Sequence, residues 1–338
     1  MYLDALRGLA IFLVVYCHVA SISMGIPEKM GSTNDIISLL HLPLFFSLSG
    51  FLMFREDRFL KLRSSCIYLW RKFKELVIPA LVFVTLFALW YHRSFDSIIH
   101  SQFKGGYWFT FFLFIFVLLY ALLSLILRRL SGKVRSSVIF ILSVCISFAP
   151  TFVDVFFPQL VVESDLLQIL SYQNFKYFLF YSFGAWIRSR YDGFCRWSDT
   201  HYGRLCIIAV PFLMLILQHF HIQHLHPFIE LLFSISSVLF FLAIFRMVAE
   251  PIEHSKLGNA AAFIGRRSLD IYFLHFFLLP RLHQIGAFFY ESGNRILELF
   301  TISMFALIII AVCLIISWIL RRSDYLSCVL FGKKEAQN

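Results

Sequence analysis

Long apolar stretches alternate along the chain with short polar ones. A membrane-spanning helix needs roughly 20 mostly apolar residues, because each residue rises about 1.5 Å and the hydrocarbon core is about 30 Å thick. That length predicts about ten transmembrane helices, at 8–26, 36–54, 76–92, 108–127, 138–157, 175–187, 205–220, 228–248, 269–290 and 299–320. The sixth is the shortest. The polar segments 55–75, 128–137, 188–204, 249–268 and 321–338 carry most of the 30 Lys and Arg residues. The opposite connections hold few, chiefly Lys29, Arg93 and Lys104, with Lys176, Arg281 and Arg295 near helix ends. Basic loops stay on the cytoplasmic side. The pattern therefore predicts an all-α polytopic membrane protein with cytoplasmic N- and C-termini. Residues 1–330 read as one membrane-embedded domain and 331–338 as a short cytoplasmic tail.

Composition agrees with the pattern and excludes a soluble fold. Of 338 residues 59% are hydrophobic and 15% charged, whereas soluble domains run near 45–50% and 25%. The 42 Phe residues suit lipid-facing and interhelical surfaces, since a large rigid ring loses little conformational freedom on ordering. The net charge of +10 follows from the basic loops and needs no nucleic-acid partner. The first helix carries Asp4 and Arg7 where a signal peptide has a basic leader, and no small-x-small cleavage site follows it, so it reads as retained. Seven scattered Cys, with no C-x-x-C, imply neither a disulfide framework nor a zinc site.

Ionisable residues in membrane helices are costly, which makes them functional candidates. The first helix has three: Asp4, Arg7 and His18. Arg7 and His18 lie eleven residues apart, about 20° off a common face and about 16 Å along the axis. Asp4 neighbours Arg7 at i, i+3. With Arg7 at the cytoplasmic rim, His18 falls near mid-membrane. Two readings of His18 stand side by side, a histidine bonded across helices to fix packing and a proton-transfer group.

The run Leu3-Asp4-Ala5-Leu6-Arg7-Gly8-Leu9-Ala10 with His18 resembles the opening of the acyltransferase 3 family of membrane acyltransferases, whose signature is Arg, ten residues, then His. Further landmarks follow in the family's order. His41-Leu42-Pro43-Leu44-Phe45-Phe46-Ser47-Leu48-Ser49-Gly50-Phe51-Leu52 resembles the second-helix Ser-Gly-Phe motif of fucose-4-O-acetylase-like members. Arg71-Lys72-Phe73-Lys74-Glu75-Leu76-Val77-Ile78-Pro79 is similar to the basic stretch leading into helix three, and Tyr107-Trp108-Phe109 to the aromatic start of helix four, with Thr110 where Leu is usual. Ser268-Leu269-Asp270-Ile271-Tyr272-Phe273-Leu274-His275 is similar to the Tyr-Leu-Leu-His motif of helix nine. The likeness covers roughly 1–110 and 260–285; between them only hydropathy matches.

The resemblance implies an enzyme of the bacterial inner membrane that moves an acyl group, usually acetyl from acetyl-CoA, to a sugar of a surface polysaccharide, lipopolysaccharide O-antigen or lipid-linked precursor. On that footing His18 is the general base for a sugar hydroxyl, with an acetyl-His intermediate as the alternative, and Arg7 and Asp4 complete the catalytic set. Arg7, Arg71, Lys72 and Lys74 are candidates for the coenzyme phosphates, Arg by bidentate contact and Lys as a point charge; topology-setting charge and anionic-lipid contact explain the same cluster. Ser49 and Gly50 are candidates for the thioester or for close helix packing. His41, Trp108, Tyr272 and His275 are candidates for acceptor contact, with interfacial anchoring for Trp108 and structural bonding for Tyr272 and His275 as the counter-readings.

Two patterns are set aside. His219, His221, His224 and His226 gather after helix seven without a carboxylate or Cys before Glu230, too poor a donor set to imply a metal. His92-x3-Asp96 imitates the H-x-x-x-D of soluble acyltransferases but sits where helix three leaves the membrane. A transporter or flippase could use the same polar cavity, with Asp4, Arg7 and His18 as a relay. The repeated halves with helix-breaking Gly or Pro at matching positions that such proteins show are not visible here.

Overall fold

The computed structural model describes residues 1–26, 33–157, 159, 164–219 and 226–332. Among them the regular structure is all helical. The main helices are α1 (Tyr2–His18), α2 (Thr33–Met53), α3 (Leu62–Trp90), α4 (Trp108–Ile126), α5 (Gly132–Phe156), α6 (Phe178–Ser189), α7 (Tyr191–Asp199), α8 (His201–His219), α9 (His226–Met247), α10 (Lys256–Arg266), α11 (Ser268–Leu274), α12 (His283–Ser292), α13 (Arg295–Leu320) and α14 (Asp324–Phe331). Among the described residues seven helices are long and apolar enough to cross a membrane, or eight if one bent pair counts as a span. The chain is a polytopic all-α membrane protein with fewer spans than the ten predicted.

Three predicted spans account for the difference, each for a local reason. The stretch at 175–187 gives α6, which has 12 residues and is roughly 18 Å long, short of the hydrocarbon core. The stretch at 205–220 becomes α8, which meets α7 at 92° across the break at Thr200. The stretch at 269–290 divides into α11, a 3₁₀ turn at His275–Leu278 and α12. Pro280 explains the division: it lacks an N–H, and it disfavours helical backbone at Leu279, which is extended with φ −71° and ψ 112°. Apolarity continues through this break, so hydropathy alone misses it.

The chain divides into two compact units, Met1–Phe45 with Asp192–Trp318 and Phe46–Tyr191 with Ile319–Asn338. In the first unit α1 is the central helix. Leu6, Ala10, Ile11, Val15 and Tyr16, which lie around its whole circumference, are fully buried. Helix α10 packs closely along it because the contact points carry no side chain. A Cβ on Gly8 would strike the Ala261 carbonyl, and one on Gly265 would strike the Asp4 carbonyl. Small residues at such crossings let backbones approach where lipid gives no hydrophobic drive to associate.

The second unit holds the end of α2 with α3, α4, α5, α6 and α14. Helix α6 packs on α5, and α3 on α4 and α14. Phe46, Trp108, Phe109, Phe112, Phe116 and Tyr177 make a continuous aromatic core, with Phe46–Phe109 ring centroids 4.7 Å apart. Where α2 crosses α6, Gly50 faces the Tyr181 carbonyl and Gly184 the Ser47 carbonyl. The Ser47 hydroxyl donates to the Phe180 carbonyl at 3.0 Å.

Candidate active site

The first unit brings His18 to a partner 257 residues away: His18 Nδ1 lies 2.8 Å from His275 Nε2. Their rings are 5° from parallel with centroids 5.1 Å apart. That separation exceeds the N···N distance by about one ring diameter, so the imidazoles meet edge to edge in one plane, the geometry of a direct hydrogen bond rather than of stacking. The backbone fixes which way the protons run. His275 Nδ1 is 3.0 Å from the Ile271 carbonyl, which only accepts, so Nδ1 carries the hydrogen and Nε2 the lone pair. His18 Nδ1 must then donate to His275 Nε2, leaving a lone pair on His18 Nε2. This tautomer assignment follows from the hydrogen-bond network. His275 is fully buried, while part of the His18 residue remains accessible. One imidazole is thus locked in the interior, and it holds a second one whose basic nitrogen points away from it.

Both histidines sit where an α-helix changes form. Helix α1 ends at His18 and continues as a π-helical turn, Val19–Ser23, and α11 tightens into its 3₁₀ turn at His275. Such turns inside helices recur at functional sites because they re-aim side chains. The two irregular segments brace each other. The Leu282 N–H donates to the Ser23 carbonyl at 2.8 Å, and a Cβ on Gly286 would strike the Met24 carbonyl. Phe276 closes over the pair, 4.8 Å from His18 and 4.1 Å from His275 between ring centroids. Tyr272 stands 6.1 Å from His275 and is buried.

Arg7, nearer the start of α1, lies 3.5 Å from Asp4 and donates to Ser268 Oγ at 3.1 Å. It remains 29% exposed, so the guanidinium is held on one side and open on the other. Asp270, buried on α11, accepts from Ser317 Oγ at 2.5 Å and faces Arg267 at 3.6 Å. His41 lies buried with Nδ1 2.9 Å from the Ile37 carbonyl, one turn back on its own helix, and 3.6 Å from Cys17 Sγ. Its Nδ1–H is therefore used and Nε2 holds the lone pair.

The remaining candidates lie in the second unit and divide into exposed and buried groups. Arg71 is 61% exposed, 3.8 Å from Glu75 and 5.2 Å over the Tyr68 ring. Lys72 pairs with the buried Glu75 at 2.7 Å, and Lys74 lies over Trp70 at 5.8 Å. Arg71 and Lys74 remain available to a ligand; Lys72 is engaged. Gly50 serves the α2–α6 crossing, and Ser49 beside it is half-buried. Trp108 is buried among Phe46, Phe112 and Tyr177, a core position rather than an interfacial one. His221 and His224 lie outside the described residues, as do 333–338 of the tail. No group of three His, Cys, Asp or Glu converges on a metal-sized gap among the described residues.

Sequence reasoning missed the Ile271 carbonyl and Ser268, which orient His275 and Arg7. Ser268 and Ile271 both stand in the helix-nine motif, so the motif marked the segment but not their tasks.

A family model described as an acyltransferase domain matches residues 2–322, nearly the whole chain. No curated protein and no solved structure matches the chain. A match of that length, with the Arg7–His18 spacing and the helix-nine histidine brought to His18, leaves one assignment: the chain belongs to the acyltransferase 3 family and is a membrane acyltransferase.

Proposed function

We propose that this membrane acyltransferase transfers an acetyl group from cytoplasmic acetyl-CoA to a hydroxyl of a cell-surface or lipid-linked carbohydrate, with His18 as general base. The hydrogen-bonded pair of His18 and His275 carries the proposal. A sugar hydroxyl is a weak nucleophile until its proton is taken, and a neutral imidazole with a lone pair on its outer nitrogen is suited to take it. His18 Nε2 accepts the hydroxyl proton as the oxygen attacks the thioester carbonyl. The resulting imidazolium keeps its Nδ1–H on His275. The tetrahedral adduct then collapses, the C–S bond breaks, and His18 Nε2 returns the proton to the departing thiolate. An ester and free coenzyme thiol result, and the base is regenerated.

Arg7 supplies a fixed cation with open N–H groups, suited to the anionic coenzyme. Asp4 and Ser268 hold its geometry. Arg71 and Lys74 are further donor contacts in this reading, and His41, with a lone pair on Nε2, and Tyr272 are acceptor contacts. Acceptor-stimulated release of coenzyme thiol from acetyl-CoA by the purified protein tests the reaction. His18→Ala should keep the protein folded and lower turnover about 10²–10⁴-fold. Near-normal turnover in that variant excludes His18 as the base.

A further inference from the structure

The break between α11 and α12 carries a cation that the chemistry above does not use. Past the 3₁₀ turn at His275–Leu278 the backbone is extended at Leu279, and it becomes helical again only at His283. Three contacts within the first unit tie this stretch to the turn that follows His18. The Leu282 N–H donates to the Ser23 carbonyl at 2.8 Å, a Cβ on Gly25 would meet the His283 ring, and one on Gly286 would strike the Met24 carbonyl. Arg281, next to Leu282, therefore has its backbone fixed relative to His18. It is exposed, and among the described residues it makes no side-chain hydrogen bond or ion pair.

The depth of the break says what this cation meets. The α1 span runs Tyr2–Ser23, so Ser23 marks its outer end, about 7 Å along the axis beyond His18. Backbone groups that leave a helix at this depth must meet protein or water, so an extended stretch borders a polar mouth rather than acyl chains. Among the described residues neither the Leu279 nor the Arg281 N–H is given to a backbone carbonyl. A guanidinium facing hydrocarbon is costly too. Topology gives no reason for a cation here, since the basic segments gather at the opposite, cytoplasmic end. A fixed guanidinium with unspent N–H groups suits phosphate or carboxylate oxygens, which it can hold in bidentate fashion. The separation from His18 is one that a single sugar residue can cover, with a hydroxyl at the histidine and an anionic group at the mouth.

We infer that Arg281 holds an anionic group of the carbohydrate acceptor, a phosphate or a carboxylate, at the outer mouth of the site. The enzyme then acts on a negatively charged glycan or lipid-linked sugar. The inference rests on the reading that the acceptor is a carbohydrate arriving from the outer side.

The test gives the full chain, in phosphatidylcholine nanodiscs, radiolabelled acetyl-CoA and the glycan and lipid-linked sugar extract of a host strain that lacks the gene. Labelled carbohydrate is then passed over an anion exchanger. The expected result is label on retained material. With dilute extract Arg281→Gln should label it about 10-fold more slowly, the low end for a hydrogen bond to a charged group. Concentrated extract should recover the rate, with KM for acetyl-CoA unchanged, and Arg281→Lys should fall between the two proteins because it keeps the charge and loses the fork. Mild acid that frees the label from its charge identifies a diphosphate-linked sugar, and carboxyl reduction that abolishes retention identifies an acidic glycan; either source supports the inference. Equal labelling by the wild type and Arg281→Gln in dilute extract overturns it and leaves the carbohydrate reading standing. Label that passes the exchanger unretained does the same, and so does a loss in Arg281→Gln that no concentration of extract relieves, which marks a structural role. No labelled carbohydrate with the wild type removes the acceptor reading and this inference together.

Discussion

Replacing His275 separates a catalytic role for the histidine pair from a structural one. His275 makes two bonds, accepting from His18 at Nε2 and donating to the Ile271 carbonyl at Nδ1, at 2.8 and 3.0 Å. His275→Ala removes both, and the His18 ring is then free to turn and to exchange tautomers, so its basic nitrogen is no longer held toward the hydroxyl. Loss of a positioned base lowers turnover about 10²–10⁴-fold, roughly 2.7–5.4 kcal/mol of barrier. Two amides divide the two bonds. Gln reaches about as far as Nε2 and can accept from His18, whereas Asn reaches about as far as Nδ1 and can bond only Ile271. If His275 positions His18, Gln restores part of the turnover and Asn does not; if it only pins its own helix, Asn is the better replacement. The assay is thiol release at saturating acetyl-CoA, with KM for the donor measured in parallel. His275 does not touch the donor in this scheme, so kcat should fall while that KM holds. Equal turnover of the Gln and Asn variants, or His275→Ala within about threefold of wild type, well short of the loss expected for a base, refutes the reasoning.

Other outcomes follow from separate parts of the molecule. Arg7→Ala and Arg71→Ala should each weaken acetyl-CoA binding by about 1.5–3 kcal/mol with little change in acceptor affinity; unchanged donor affinity in both variants removes them from the coenzyme site. Gly265→Ala forces a Cβ onto the Asp4 carbonyl and should cost about 1–3 kcal/mol of stability, read as a drop in thermal unfolding temperature. Gly193→Ala, with nothing near its Cβ, should be neutral or stabilising. Lys104, outside the spans, donates to the Ile99 and Ile169 carbonyls at 2.6 Å, and burial lowers its pKa from 10.5 to about 8. Between those two values the unfolded chain binds the proton and the folded one releases it, so stability rises with pH across that window. The rise should be smaller in Lys104→Met; equal slopes of unfolding temperature against pH in the two proteins would contradict it.

The sequence by itself determined the class of the protein. Run length and apolarity are local properties, and a bilayer accepts a backbone only if its hydrogen bonds close within the segment, so helices followed directly from hydropathy. The spacing of Arg7 and His18 likewise needed only helical periodicity. The break at Pro280 was written in the chain, yet apolarity on both sides of it concealed the end of the helix. Tertiary structure decided the rest. His275 stood in the sequence as a possible acceptor contact or a structural histidine, and packing made it the partner of His18. Trp108 stood in the sequence as a candidate acceptor contact or an interfacial anchor, and only packing buried it among Phe46, Phe112 and Tyr177. The physical reason is that a hydrogen bond depends on which helix faces meet, and the faces meet where volume permits. Gly8 and Gly265 allow α1 to lie against α10, and the segment that follows α10 then carries His275 to His18; no count of apolar residues along the chain contains that distance.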